Sequence, residues 1–381
     1  MRLRWFRLLV VALLLTAGAA CSEEDDPNDE SSGTTAAPSG QQGDDEGGEG
    51  EDDTVQTGGG DVLQTVQDRG TLVCGVNDAV PGFGVVDENG EFSGFDIDYC
   101  RAIAAAVLGD AEAVEFRPLS ADERFTALQS GEVDVLVRNT THTATRDGSE
   151  GAAFAPTTFY DGQAMMVAAD SGFGSIDDMD GATICVLSGT TTELNLATRF
   201  NQAGLTFEPL SFEDVDLIQE AFIQGQCDGW TSDGSQLAGI RSAWPDAEGG
   251  PEALTIFEER FSKEPLAPAV RGDDPQWLDV VSWVVWATIQ AEELGLDSTN
   301  IADETGEDSE DVARLLGLPV GEDNAVFDPG LGLPPDFVVQ VVSQVGNYGE
   351  IYERNIGPLG IERGLNALYL DGGLQYAPPY R

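Results

Sequence analysis

From residue 61 to the C-terminus, short apolar runs alternate with stretches of helical spacing, and that alternation leaves few folds open. Residues 71–77 read as a strand that ends at the turn Pro81-Gly82-Phe83-Gly84. Over 95–108, Ile97, Ile103, Val107 and Leu108 fall on or near one helix face. A second strand is expected over 113–119. Ser120 and Glu123 then form a capping box for a helix bearing Phe125 and Leu128. A third strand is expected over 133–137. This order predicts a parallel α/β sheet whose loops gather at the strand C-termini. A second unit repeats the style, with strands over 182–187, 205–210 and 227–231 and helices over 192–200 and 213–224. After about residue 266 the tract reads differently, with an apolar helix over 277–294 and shorter helices near 338–345 and 349–355. Two α/β lobes with a ligand crevice between them are the simplest architecture.

The first sixty residues have no such periodicity. Arg2, Arg4 and Arg7 precede an apolar stretch over 8–15, and small residues over 17–20 lead to Cys21. That is the form of an export signal, so 1–20 is read as a signal peptide. The apolar stretch is too short to span a bilayer as a mature helix. Cys21 resembles the lipidated residue of a bacterial lipoprotein signal, although Gly18 stands where such signals usually carry Leu. Ordinary signal-peptidase cleavage nearby is the rival reading. Residues 21–60, rich in Asp, Glu, Ser, Thr, Gly and Pro, cannot bury enough apolar area to offset their ordering entropy. A disordered acidic tether is expected there, extended by its own charge. The chain is thus expected outside the cytoplasm, in the periplasm or on the outer cell surface, touching the membrane only through a lipid at Cys21.

Charge and residue usage narrow the partners. With 69 Asp and Glu against 18 Lys and Arg, the formal charge is −51, which repels nucleic acid phosphates and anionic lipid. Lys263 is the only lysine, a pattern that fits a salt-adapted surface. His142 is the only histidine, so a Ser-His-Asp device would need it as base and metal sites built from histidine pairs are impossible. No Gly-rich phosphate loop is followed by a lysine. No enzyme activity, metal or cofactor is indicated.

Three segments carry polar chemistry just past strand ends. The run from Arg138 to Arg146 offers guanidinium and hydroxyl donors suited to an organic carboxylate. Gly189-Thr190-Thr191 opens a helix, whose free N–H groups favour an anion, with plain N-capping by either threonine as the alternative. Asp233 follows a strand and can accept from an ammonium. Together they make a receptor for a zwitterion.

Longer runs carry a family resemblance. Gly94-Phe95-Asp96-Ile97-Asp98, Leu128-Gln129-Ser130-Gly131-Glu132-Val133-Asp134, and 138–141 resemble solute-binding proteins for polar amino acids, the family 3 extracellular type. Phe159-Tyr160-Asp161-Gly162-Gln163, 189–196, Val345-Gly346-Asn347-Tyr348-Gly349-Glu350, Arg363-Gly364-Leu365-Asn366-Ala367 and the ending over 372–381 extend the likeness to the general L-amino-acid branch. His142 departs from it, standing where members carry Trp.

The resemblance implies a two-lobed, type II periplasmic-binding-protein-like clamshell of α/β class with two hinge crossings. Lobe one would comprise 61–165 and 266–381, and lobe two 166–265. Arg146 would grip the ligand α-carboxylate, assisted by Thr141, the main chain of Thr191, and Thr190. Asp233 would hold the α-ammonium with the Asn139 carbonyl and the Thr141 hydroxyl, and Phe83 would pack on the ligand body. The partners implied are an L-amino acid and the membrane permease of an ABC transporter, with the chain itself a monomer. Two other classes use the same fold: periplasmic dehydratase-like enzymes and ligand-sensing modules. With Cys21 set aside, Cys74, Cys100, Cys185 and Cys227 allow three disulfide connectivities. Cys74–Cys100 with Cys185–Cys227 is expected, because it keeps each bridge inside one lobe.

Overall fold

The computed structural model describes residues 61–381; the expected signal peptide over 1–20, the tether over 21–60 and Cys21 lie outside the described residues. Two five-stranded sheets organise the chain. In the first, Leu72–Val76 lies between Val114–Pro118 and Val135–Leu136 and runs parallel to both. Ala269–Arg271 and then Ala152–Phe154 extend it on one side, in antiparallel pairing. In the second, Ala182–Leu187 lies parallel between Phe207–Phe212 and Gly229–Asp233. Gln163–Ala168 and Leu254–Ile256 complete that sheet antiparallel.

The sheets are therefore mixed, where a wholly parallel order was expected. The reason lies in how the chain changes sheets. Phe159–Asp161 pairs antiparallel with Glu264–Leu266, and these two strands carry the chain across and back. The loop after Val135–Leu136 is stitched to the return crossing, with the His142 N–H donating to the Pro265 carbonyl at 2.9 Å and the Ala267 N–H to the Thr140 carbonyl at 3.1 Å. The parallel strands thus end beside the crossing. A strand that starts from the crossing, such as Gln163–Ala168 or Ala269–Arg271, must run the other way.

Local chemistry fixes the helices that frame the first sheet. Phe95–Leu108 starts after Gly94, whose φ of 139° places an added Cβ only 2.1 Å from the Phe83 carbonyl oxygen. Only glycine fits there. The N–H groups of Phe95 and Asp96 donate to the carbonyls of Gly82 and Phe83 at 2.9 and 3.0 Å, which pins the 81–84 turn to the helix start. Pro275–Glu293 opens with proline in its first turn, where the missing N–H costs nothing. Buried Asp274 accepts from the Trp277 N–H at 2.9 Å and from the Val62 N–H at 2.9 Å, so one carboxylate caps two helices.

The C-terminal helices Phe337–Gln344 and Tyr348–Asn355 pack on Phe95–Leu108 and Pro275–Glu293 and share the first sheet's core. They also brace the outgoing crossing. The Tyr348 hydroxyl donates to the Thr158 carbonyl at 2.9 Å, and Asn366 exchanges two hydrogen bonds with the Tyr160 backbone, at 2.7 and 3.1 Å. The second sheet carries its own cores, around Trp230 on one face and Phe200 on the other.

Cys74 bonds Cys100, tying a central strand to the helix Phe95–Leu108, and Cys185 bonds Cys227 in the second sheet. The two bridges close loops of 26 and 42 residues. Loop-closure entropy at such lengths is worth about 3–4 kcal/mol per bridge, and measured losses run to about 2–5 kcal/mol. Replacing Cys185 and Cys227 together with alanine is expected to lower the urea midpoint by an amount equal to about 2–4 kcal/mol. A non-reducing peptide map of that variant should retain the Cys74–Cys100 bridge. A wild-type peptide joining Cys100 to Cys185 would contradict the pairing.

Candidate functional site

The C-terminal ends of the parallel strands in both sheets meet at one cavity. The first sheet supplies the segment after Val135–Leu136. Arg138, Asn139, Thr141 and Arg146 from that segment all line the cavity. The second sheet supplies Thr190, Thr191 and Asp233. Six of the seven ligand residues expected from sequence therefore share one cavity, and Arg146 and Asp233 reach it from different sheets.

Arg146 lies in the short helix Ala144–Gly148, started by Thr143, whose hydroxyl accepts from the Arg146 N–H at 3.3 Å. Its Nη1 donates to the Thr141 carbonyl at 2.5 Å, and its guanidinium carbon sits 5.2 Å from the centre of the Phe125 ring. Stacking and that single bond fix the fork while leaving other N–H donors unspent. Burial works against its charge, and Glu150, Glu264 and Asp233 work for it.

Asn139 has φ of 31°, a left-handed conformation that asparagine tolerates better than most residues. Asp96 holds it there, accepting the Asn139 N–H at 2.6 Å. Burial pushes the Asp96 carboxyl up to about 7, against the pull of the Asn139 N–H and of Arg138. The Asn139 side chain is spread between Asn77, Gln236 and Asp233, with its Nδ2 3.3 Å from Asp233 Oδ2.

Asp233 ends the strand Gly229–Asp233 and precedes the helix Gly234–Ser242. Its Oδ1 is sealed from solvent without a hydrogen-bond partner. Burial raises its pKa well above the ordinary carboxylate range, and neighbouring Asp161 and Glu264 raise it further, while Asn139 and Arg124 oppose them. An unpaired buried carboxylate oxygen is costly. An added cation would relieve it.

The threonines divide the work. Thr190 N-caps the helix Thr191–Ala203, accepting the Glu193 N–H at 3.2 Å and donating to the Leu187 carbonyl at 2.7 Å. Its hydroxyl is thus committed to the helix start. Thr141 and Thr191 both donate their hydroxyls to Glu264 Oε2, at 2.7 and 2.8 Å. Glu264 lies on the return crossing, so one hinge carboxylate holds a hydroxyl from each side of the cleft.

Phe83 is placed elsewhere. It is fully buried in the first core, its ring edge-on to Phe159 at 5.2 Å and Phe95 at 6.1 Å, and it does not line the cavity. The turn that carries it is drawn inward by the Gly94 contact, and Val80 reaches the cavity instead. His142 is not a lining residue either: its ring stacks on Phe154 at 4.5 Å and bonds Asp147 at 2.8 Å. Sequence reasoning did not single out Arg124, Asn77 or Gln236 among the lining residues, nor Glu264 beneath them. Arg124 and Gln236 are single polar residues in helices, Glu264 lies in a short strand and Asn77 just past one, with no local motif to mark them.

Comparisons with known proteins give the chain's family and fold. Residues 72–295 match the family described as bacterial extracellular solute-binding proteins, family 3. The chain is 47% identical over 322 residues to the general L-amino acid-binding periplasmic protein AapJ of Rhizobium johnstonii, covering 84% of this chain and 92% of that one. It is 44% identical over 323 residues to the glutamate/glutamine/aspartate/asparagine-binding protein BztA of Rhodobacter capsulatus, covering 84% and 93%. A solved ABC transporter periplasmic binding protein from Brucella ovis with glutathione bound superposes with a TM-score of 0.79 at 46% identity, covering 84% of this chain and 99% of that one.

The state of Asp233 gives a pH signature. Between the ordinary carboxylate pKa and the raised folded value, the folded chain holds a proton that the unfolded chain has lost. Stability therefore falls as pH rises through that window, and the full penalty persists above it. Asn in place of Asp233 removes the penalty and keeps an acceptor for Asn139. Ligand-free Asp233→Asn is expected to melt above wild type at pH 8, with the gap closing toward pH 4, as followed by scanning calorimetry. A gap independent of pH would show that Asp233 is not held as described.

Proposed function

The chain belongs to family 3 of the bacterial extracellular solute-binding proteins, and from that premise we propose that it captures L-amino acids outside the cytoplasm and delivers them to the permease of an ABC transporter. The observation that carries this reading is that Arg146 and Asp233, brought by different sheets, line one cavity. They supply fixed positive and negative poles for the two ends of a free amino acid. Arg146 grips the α-carboxylate with charge-assisted bonds, joined by the N–H groups at the helix start around Thr190 and Thr191. Asp233 takes the α-ammonium, which satisfies its orphaned Oδ1. Because the Thr141 hydroxyl gives its proton to Glu264, its lone pairs are free to accept from the ammonium as well. The Asn139 carbonyl is the third acceptor.

The fold is the two-lobed type II clamshell. We take lobe one as 61–165 with 266–381 and lobe two as 166–265, a division supported by the two sheets and the crossing pair. Closure about that pair brings Thr190, Thr191 and Asp233 onto a ligand already held by lobe one, and excluding water strengthens both charged contacts. This is a receptor and not an enzyme, working as a monomer that a lipid at Cys21 and the acidic segment over 21–60 hold outside the membrane.

A thermal-shift panel of the twenty amino acids tests the reading. Ligand at a hundredfold excess over its Kd should stabilise the folded chain by about 2.7 kcal/mol. Losing one partner of a buried charged contact costs about 2–5 kcal/mol. Arg146→Ala is therefore expected to weaken every amino acid that binds, by at least about tenfold in calorimetry. Unchanged affinity would remove Arg146 from the site, and a panel without any shift would remove amino acids as ligands.

A further inference from the structure

Two glycines of the 166–265 segment press on the rest of the chain at points that do not line the cavity. The first is Gly239, inside the helix Gly234–Ser242, where its backbone is ordinary helix and glycine is a poor choice on propensity alone. A Cβ on Gly239 would lie 3.2 Å from the Pro81 carbonyl carbon and closer still to its oxygen. Pro81 is not free to retreat. It opens the 81–84 turn, in which the Phe83 N–H donates to the Val80 carbonyl at 3.0 Å, and the Gly82 and Phe83 carbonyls are held by the start of the helix Phe95–Leu108. The Phe83 ring, packed on Phe95 and Phe159, roots that turn in the first core.

The second is Gly189. Its φ of 67° already favours glycine, and a Cβ there would also lie 2.9 Å from the Asp122 carboxyl carbon and 3.4 Å from the Asp122 Cα. Asp122 accepts the Ser188 hydroxyl at 2.8 Å, and Arg124 Nη2 donates to the Gly189 carbonyl at 3.1 Å. Both contacts stand just outside the cavity wall, since Pro81 follows the lining residue Val80 and Gly189 precedes the lining residue Thr190. Nothing local calls for glycine at 239. The approach of Pro81 does.

On the proposed receptor reading with its two lobes, we infer that Gly239 on Pro81 and Gly189 on Asp122 are the stops on which the lobes shut, so that the protein and not the bound side chain fixes the closed angle. A receptor that takes ligands of different size then presents one closed shape to its permease. Packed surfaces of this kind have discrete seats and do not deform continuously. Apparent affinity scales with the fraction of chains able to close, so a side chain placed at a stop weakens all ligands by one factor.

Titration calorimetry of Gly239→Ala with small, large and charged amino acids tests this. Without ligand the variant is expected to melt at or above wild type, because alanine outranks glycine inside a helix. It is expected to bind every ligand about tenfold or more weaker, by a common factor. Asp122→Ala, at an exposed residue off the cavity wall, is expected to cost each ligand a common factor of about threefold through the lost Ser188 bond. A folded Gly239→Ala that binds within about twofold of wild type overturns the stop, and so does a loss that changes with the ligand's side chain. Should Gly239→Ala not fold, the unwedged chain still decides. A fluorophore pair on Glu88→Cys and Leu194→Cys, exposed residues on either side of the cleft, must show the same closed transfer efficiency for each amino acid that binds. An efficiency that tracks ligand size overturns the inference while leaving the receptor reading intact. Failure of the wild type to bind any amino acid would remove both.

Discussion

The antiparallel pair of Phe159–Asp161 with Glu264–Leu266 is the contact on which the rest of the molecule depends. Each sheet is complete only because the chain crosses there twice, and the strands that start from the crossing are the antiparallel ones. The same pair carries chemistry. Asp161 accepts the Ser235 N–H at 3.0 Å and the Gly162 N–H at 2.7 Å, which seats the helix that follows Asp233. Glu264 takes the Thr141 and Thr191 hydroxyls from opposite sides. The hinge is thus also the floor of the site. A geometry change at the crossing would reach the helix after Asp233 through Asp161 and both threonines through Glu264, as the proposed closure requires.

Much of the fold was legible because its strongest signals are local. Helix Phe95–Leu108 starts and stops where its spacing and flanking glycines place it, and Ala182–Leu187 matches its apolar run residue for residue. Ser120 and Glu123 do bond to each other, but in the turn ahead of the helix: Arg124–Ser130 starts after Glu123 with no side-chain cap. The strands around the crossing were not legible. Ala152–Phe154, Phe159–Asp161 and Ala269–Arg271 have three residues each, too short to show a period, and their pairing is with partners about a hundred residues away. The site divides the same way. Arg146, Asp233 and the threonines stand in polar runs after strands, and the motifs flag them. Phe83 was misplaced because a turn aromatic can face either the core or the cleft. What decides is the contact of Gly94 with the Phe83 backbone, a feature of packing.

Charge works at two scales in this protein, with opposite sign. The whole chain carries −51, a field that repels other anions. Inside the cavity the balance reverses, with Arg124, Arg138 and Arg146 against Asp233. The two do not conflict, because salt screens charges over about 10 Å at 0.1 M while buried pairs are screened far less. A distant acidic surface therefore has little say in what the cavity holds. Local donors decide it.

The cavity is consequently where the folded chain is least at ease. Asp233 keeps an unpaired oxygen, Arg124 keeps an unpaired Nε, and burial opposes the charge of Arg138, lowering its pKa to about 10. Each of these costs stability and is relieved by a group of opposite charge. Elsewhere the protein offsets such costs with two disulfides and a large shared core under the C-terminal helices. The C-terminal segment does more than add mass, since Tyr348, Asn366 and Gln375 all bond to the backbone of 157–160 at the outgoing crossing. A braced crossing lets the cleft hold mismatched charges in place rather than collapse around them. Preorganised, unsatisfied poles of this kind convert directly into affinity, because the ordering and desolvation are complete before the ligand arrives.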